Sequence, residues 1–356
     1  MQFFDKDQSS ALSAKENAQW IAYAPVVFQA TRALRNTGIL TLIEQHKTGL
    51  TMAQVVEETK LPEYGVRVLL EAALGIGLLI IQDNVYKTTK TAWFVLHDDM
   101  TRVNMDFVQD VCYKGLFYLE DSIHTGKPEG LKVFGEWNTV YEALAQLPDQ
   151  VRKSWFAFDH FYSDSVFHGI LPLIFKNKPK SILDIGGNTG KWAKQCVGYD
   201  PDVVVTMMDL PGQLNTAKQQ IADMPFADRI KFHEGNVLDE NVIFPSNYDA
   251  VWLSQFLDCF SDEEITSILM RCKKSLLPDG KIYILEAFWD RQRYKASAFS
   301  LQQTSLYFTA IANGNSQMYH ADVFIKAVKA AGLEVIEEVD DLGVSHTLLV
   351  CRPIAN

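Results

Sequence analysis

A chain of 356 residues has room for two domains that each bury a core, and 47% apolar with 22% charged residues is the composition of a globular protein rather than a disordered one. The formal net charge of −11 excludes a general basic field for nucleic acid or an anionic membrane. The five cysteines, Cys112, Cys196, Cys259, Cys272 and Cys351, form no CxxC pair and have no metal-like spacing, so the chain reads as a cytoplasmic protein with reduced thiols and no metal centre.

The first residues lack a basic start followed by an apolar core, so no secretory leader is expected. Residues 11–49 then carry apolar positions at helical spacing, among them Phe28, Leu34, Ile39, Leu40 and Ile43. Thr51 is placed to cap a short helix over 52–58, and Pro62 suits the first turn of another that Gly75 and Gly77 end. Two short strands around Asp83-Asn84 follow. Helices followed by a hairpin form a winged-helix pattern, assigned to residues 1–103. A recognition helix over 63–73 would offer Arg67 against Glu63 and Glu71, a poor match to phosphate, so no nucleic acid is expected as a partner. The apolar run 74–81 is too short to span a bilayer, so no membrane is expected either.

Residues 104–178 read as helical, interrupted at 124–130 by glycine and proline. The stretch 155–163 is dense in aromatics, which by itself points to core more than to a pocket. After Lys180 strands and helices alternate, with strands expected at 181–185, 203–208, 230–234, 248–253, 281–287, 333–339 and 346–351. That order implies right-handed crossovers and a mainly parallel sheet whose ligand sits beyond the carboxyl ends of the strands.

The first of these strands ends in Asp184 and runs into Gly186, Gly187 and Gly190 before a helix near Lys191. The glycines stand at i, i+1 and i+4, not at the i, i+2 and i+5 of a dinucleotide fingerprint, which disfavours a pyrophosphate. A glycine turn with an acid at its entrance suits a ligand with a cationic amino-acid end and a ribose. Asp209, ending the next apolar run, is placed to accept both ribose hydroxyls.

Asp184-Ile-Gly-Gly-Asn-Thr-Gly190 together with Asp209-Leu210-Pro211 resembles the S-adenosylmethionine site of small-molecule O-methyltransferases. The resemblance implies a Rossmann-like class I methyltransferase sheet of seven mainly parallel strands in residues 179–356. It also implies that the N-terminal winged helix serves homodimerisation and that residues 104–178 cover the active site. S-Adenosyl-L-methionine would lie on Asp184, Gly186, Gly187, Gly190, Asp209 and Leu210, with Asn236 and Val237 at the adenine and Ser254 and Gln255 nearer the amino-acid end. Phe158, Tyr162 and Ser163 would lie over the methionine. Asn236 replaces the family's acid and reads equally well as a turn residue. A small aromatic or polyene-like acceptor would meet Phe299, Gln303, Tyr307, Met318 and His320.

One stretch departs from the family. Phe260-Ser-Asp-Glu-Glu264 resembles the family's Trp-Ser-Asp-Glu-Glu and fixes a register in which the catalytic histidine is Asp258 and the acid after it is Cys259. Glu286, the carboxylate that would orient the histidine, is present, whereas a second orienting Glu falls near Met318. Asp258 with Glu286 is therefore the catalytic candidate, and the alternative is that Asp258 merely caps a helix starting at Ser261 or Asp262. At an ordinary pKa of about 3.9 an aspartate is a poor base for a phenol of about 10 unless burial raises it, and the like charge of Glu286 nearby could raise Asp258 as well. The expectation is O-methylation that relies on alignment with an easily ionised acceptor, with no imidazole limb near about 6.5 in the rate. Ring C-methylation, carboxylate methylation and a non-catalytic cofactor-binding regulator are the alternatives.

Overall fold

The computed structural model describes residues 3–144, 146–163 and 166–355. These form two compact units, Met1–Asp106 and Phe107–Asn356.

In the first unit the helix Ala11–Asn36 starts at Ser10, whose side chain accepts from the Ser13 N–H. Its C-terminal end packs through Leu34 with Ile39, Leu40, Ile43, Val55, Val66 and Leu70. Thr51 and Gln54 close a reciprocal capping box on the helix Met52–Thr59, which satisfies two of its free N–H groups. Two strands, β1 (Leu79–Gln82) and β2 (Val85–Thr88), pair antiparallel. Their turn residues Asp83 and Asn84 both have positive φ (49° and 62°), as a two-residue hairpin requires. Leu12, Trp20, Ile21, Tyr23 and Val26 on the N-terminal helix remain exposed.

The second unit is built on seven strands: β3 (Ser181–Ile185), β4 (Val204–Asp209), β5 (Ile230–Glu234), β6 (Tyr248–Ser254), β7 (Leu276–Glu286), β8 (Leu333–Leu342) and β9 (His346–Pro353). Their order is β5-β4-β3-β6-β7-β9-β8. β3 to β7 run parallel and β9 lies antiparallel between β7 and β8. β7 starts earlier than the apolar run from 281 suggests, because Leu276 already pairs with Tyr248 ahead of an irregularity between Tyr248 and Ala250. One apolar core, with Ile185, Leu253, Ile284 and Phe324, covers one face of the sheet. The other, with Ile182, Trp192, Trp252 and Leu285, covers the opposite face, as strand alternation dictates. A further cluster joins Phe107, Val111, Leu131 and Val140 to Tyr307 and Ile311. It includes two π-helical turns, Val108–Cys112 and Phe308–Ala312, a deviation that often accompanies functional sites.

Strand order reverses between β3 and β6. That switch point opens a crevice beyond their carboxyl ends.

Candidate functional site

β3 leaves the sheet through Gly186, and the turn ends at Gly190, which precedes the helix Lys191–Tyr199. Both glycines have a φ of 76°. A Cβ on Gly186 would sit 2.3 Å from the Phe256 ring, and one on Gly187 would sit 2.8 Å from Asp184 Oδ2, so the turn has no room for side chains there. The turn is tied to β4 by the Gly186 N–H, which donates to the Met208 carbonyl at 2.9 Å. Asp209 Oδ2 accepts from the Asn188 N–H at 2.9 Å and Oδ1 from the Leu210 N–H at 2.7 Å. Each oxygen keeps a lone pair for a ligand.

Asp184 is buried, and its Oδ2 has no hydrogen-bond partner. Burial, with the Asp209 charge second, pushes its carboxyl up to about 8. A cavity beside it is lined by Ser254, Gln255, Asn188, Trp192 and His160. Asn188 Oδ1, Trp192 Nε1, Ser254 Oγ and Gln255 Nε2 are likewise buried without a partner. Folded proteins pair the large majority of such side-chain atoms, so this concentration at the switch point signals a ligand. Once ionised, Asp184 supplies acceptors only, and Trp192 is a donor only, a set that fits an amino-acid zwitterion. With Asp209 next to the turn for a ribose, these residues fit S-adenosylmethionine. Calorimetry with S-adenosylhomocysteine should show Asp209→Ala losing about 1.5–3 kcal/mol, the range for a hydrogen bond involving a charged group, and an unchanged affinity would remove Asp209 from the site.

Beyond β6 the backbone turns sharply at Gln255 (φ 47°) into a single helical turn, Leu257–Cys259. Glu286, at the end of β7, reaches under this turn, and its Oε1 accepts from the N–H groups of Phe256 (3.0 Å) and Leu257 (2.8 Å). Its Oε2 is buried and unpaired. Asp258 is buried too, and its Oδ1 accepts from the Cys259 thiol at 3.5 Å. Asn313 Nδ2 donates to the Cys259 carbonyl at 2.6 Å and fixes the turn from the other side. Burial raises Asp258 to about 6, with the Cys259 contact opposing. Glu286 is held well above the carboxylate range by burial and by the Asp258 charge, against the pull of the backbone N–H groups. The two acids thus form one buried pair. The capping alternative fails, because Ser261 caps the helix Asp262–Ser275 and forms a capping box with Glu264.

The remaining candidates divide. Phe158 stacks on Phe107 (centroids 4.0 Å apart) and touches Tyr162 at 5.0 Å. Ser163 ends the helix Asp149–Ser163, and its side chain lies outside the described residues. Leu210 is 37% exposed beside Asp209, and Val237 is buried in the core. Asn236 is exposed and its Oδ1 accepts from the Leu238 N–H at 2.9 Å, so it builds a local turn. Tyr307 is buried, its hydroxyl accepting from Trp155 Nε1 at 2.7 Å, and Met318 packs on the same cluster as Cys259. Phe299 and Gln303, however, are exposed on the helix Lys295–Tyr307. Each step of four residues turns a helix about 40° further, which carries Tyr307 into the core but leaves these two in solvent. His320 is occupied as a helix cap, its Nδ1 accepting from the Asp322 N–H at 3.1 Å. Asn188 and Trp192 were not singled out from the sequence. The available signal was their place inside and just behind the glycine turn.

Residues 15–86 match the Dimerisation2-like domain, and residues 117–334 match the O-methyltransferase domain. An L-tyrosine C(3)-methyltransferase of Streptomyces lavendulae is 24% identical over 331 residues, covering 91% of this chain and 89% of that one. Among solved structures, the apo form of the S-adenosylmethionine-dependent methyltransferase SibL superposes with a TM-score of 0.72 at 20% identity, over 94% of this chain and 98% of that one. Human N-acetylserotonin methyltransferase in complex with SAM gives 0.66 at 19% identity, over 98% and 100%.

Proposed function

The chain belongs to the O-methyltransferase family and is an S-adenosylmethionine-dependent methyltransferase, and from that premise we propose that it methylates the hydroxyl oxygen of a small phenol-bearing aromatic acceptor. The observation that carries the reading is the buried pair of Asp258, in the turn after β6, and Glu286, at the end of β7. S-Adenosylmethionine supplies a methyl carbon activated by a positively charged sulfur. Asp258 takes the acceptor's proton. Glu286, kept protonated, positions the turn that carries Asp258 through the Phe256 and Leu257 N–H groups.

Burial revises the expectation drawn from the ordinary pKa of aspartate. A carboxyl at about 6 lies close to the imidazole reference of about 6.5, so Asp258 is matched to the work of the family's histidine. Its working form is the anion, and the rate falls as pH drops below about 6.

Methylation of a ring carbon beside the hydroxyl is a second reading, favoured by the kinship with the tyrosine C(3)-methyltransferase and by Asp258 itself. After attack by a ring carbon the departing C–H proton is strongly acidic, so a carboxylate is base enough. Incubating a panel of phenols, tyrosine included, with methyl-labelled S-adenosylmethionine and taking NMR spectra of the products separates the outcomes. An aryl ether methyl supports the proposal, an aryl carbon methyl replaces it with the second reading, and tight S-adenosylhomocysteine binding without turnover on any phenol would leave a regulatory cofactor-binding protein.

The same proposal makes the chain a homodimer through its first unit. Supporting it are the Dimerisation2-like match over 15–86 and the exposed Trp20, Ile21, Tyr23 and Val26. An obligate interface of this kind buries more than about 2,000 Å². Light scattering should therefore give twice the chain mass at micromolar concentration, and a monomer there would contradict it. Among the described residues no helix is long and apolar enough to cross a membrane.

A further inference from the structure

We propose that Trp192 is a cofactor-binding residue whose indole N–H donates to the carboxylate at the amino-acid end of S-adenosylmethionine; this rests on the cofactor reading of the switch-point cavity. Trp192 is 3% exposed, lines that cavity, and its Nε1 is buried with no partner. An indole N–H only donates, so its missing partner is an acceptor. The cavity is lined by Asp184, Ser254 and Gln255 but not by Asp209, which places it at the end of the ligand away from the ribose. There the acceptor is the carboxylate, while the unpaired Asp184 oxygen serves the neighbouring ammonium.

Two further features agree. Trp192 is the second residue of the helix Lys191–Tyr199, whose free N–H groups and dipole favour an anion at that end. The indole is also rigid. It stacks on Trp252 with centroids 4.2 Å apart and planes 19° apart, and meets Phe167 at 5.3 Å, so the N–H is held in place before the ligand arrives.

The test compares S-adenosylhomocysteine with its decarboxylated analogue, which keeps the adenosine, thioether and ammonium and lacks only the carboxylate. In calorimetry Trp192→Phe, which retains the stacked ring and removes the N–H, should weaken S-adenosylhomocysteine by roughly tenfold to a hundredfold and change the analogue by less than about twofold. Equal losses for both ligands, or no loss for either, would overturn the proposal. A second readout uses the unmutated protein and so does not depend on the variant folding. In the nitrogen-labelled indole spectrum one N–H resonance should move with S-adenosylhomocysteine and stay with the analogue, and identical responses would contradict the assignment. If the unmutated protein binds neither ligand, the cofactor reading of the cavity fails, a result distinct from failure of the Trp192 role.

Discussion

Replacing Asp258 by Asn should slow methyl transfer by roughly 10²–10⁴, the usual worth of a general base, while leaving S-adenosylhomocysteine affinity within about twofold. Shape is preserved and only the charge is lost, so the effect falls on proton removal. Stability supplies an independent reading of the same substitution. Asp258 lies at about 6 in the folded chain against an ordinary 3.8, so the folded state favours its protonated form. That preference is fully present below about pH 4 and is lost as pH rises through about 6, at a cost of roughly 2–3 kcal/mol to the unmutated protein. The amide introduced by the substitution does not titrate. Denaturation at a series of pH values should therefore show the variant gaining stability relative to the unmutated chain between about pH 4 and 7. A parallel pH dependence in the two proteins would mean that Asp258 is not a raised, buried acid, and an undiminished rate would remove it from catalysis.

Cofactor binding should release close to one proton at neutral pH, and Asp184→Asn should abolish that release. The carboxyl sits at about 8 in the free protein, raised by burial and by the Asp209 charge, and its unpaired oxygen is the one assigned to the ligand's ammonium. At pH 7 such a group is about nine-tenths protonated and must ionise to meet a cation. S-Adenosylhomocysteine affinity should then rise close to tenfold per pH unit up to about 8 and level off above it. Titrations in buffers of different ionisation enthalpy count the protons directly. In Asp184→Asn the slope should flatten, and affinity should fall by about 1.5–3 kcal/mol because a charged hydrogen bond becomes a neutral one. Binding without proton release would show that Asp184 is already ionised in the free protein or does not meet the ammonium, and an unchanged affinity in Asp184→Asn would single out the latter.

What the sequence disclosed about this site follows the range of the interactions involved. The strand, glycine turn and helix around Asp184 are local, and Asp209 lies one crossover away, so spacing alone located the ligand-facing ends of β3 and β4. Asp258 and Glu286 were found together because a capped helix start, Ser261 with Glu264, anchors the register of the turn before it. That the pair could raise Asp258 was legible, but how far was not, since burial of Asp258 is contributed by distant packing and no local pattern encodes it. Trp192 was missed for a related reason, because an unpaired indole N–H is a property of the folded interior. Phe299 and Gln303 go the other way, because resemblance marks their stretch as a whole while only the fold decides which face of their helix turns inward. His320 illustrates competition from a cheaper local role, capping the helix it precedes.

Whether a buried carboxyl pair does the work of the family's imidazole is decided by the pH–rate profile measured at two temperatures with whichever phenol the panel identifies as substrate. Carboxyl ionisation has little enthalpy, whereas imidazole ionisation has a large one, so temperature tells the two apart where their pKa values overlap. With Asp258 as the base, a limb near pH 6 stays in place on warming and is absent from Asp258→Asn. A limb near 6.5 that moves down on warming, survives in Asp258→Asn and vanishes in His160→Gln or His320→Gln would contradict it.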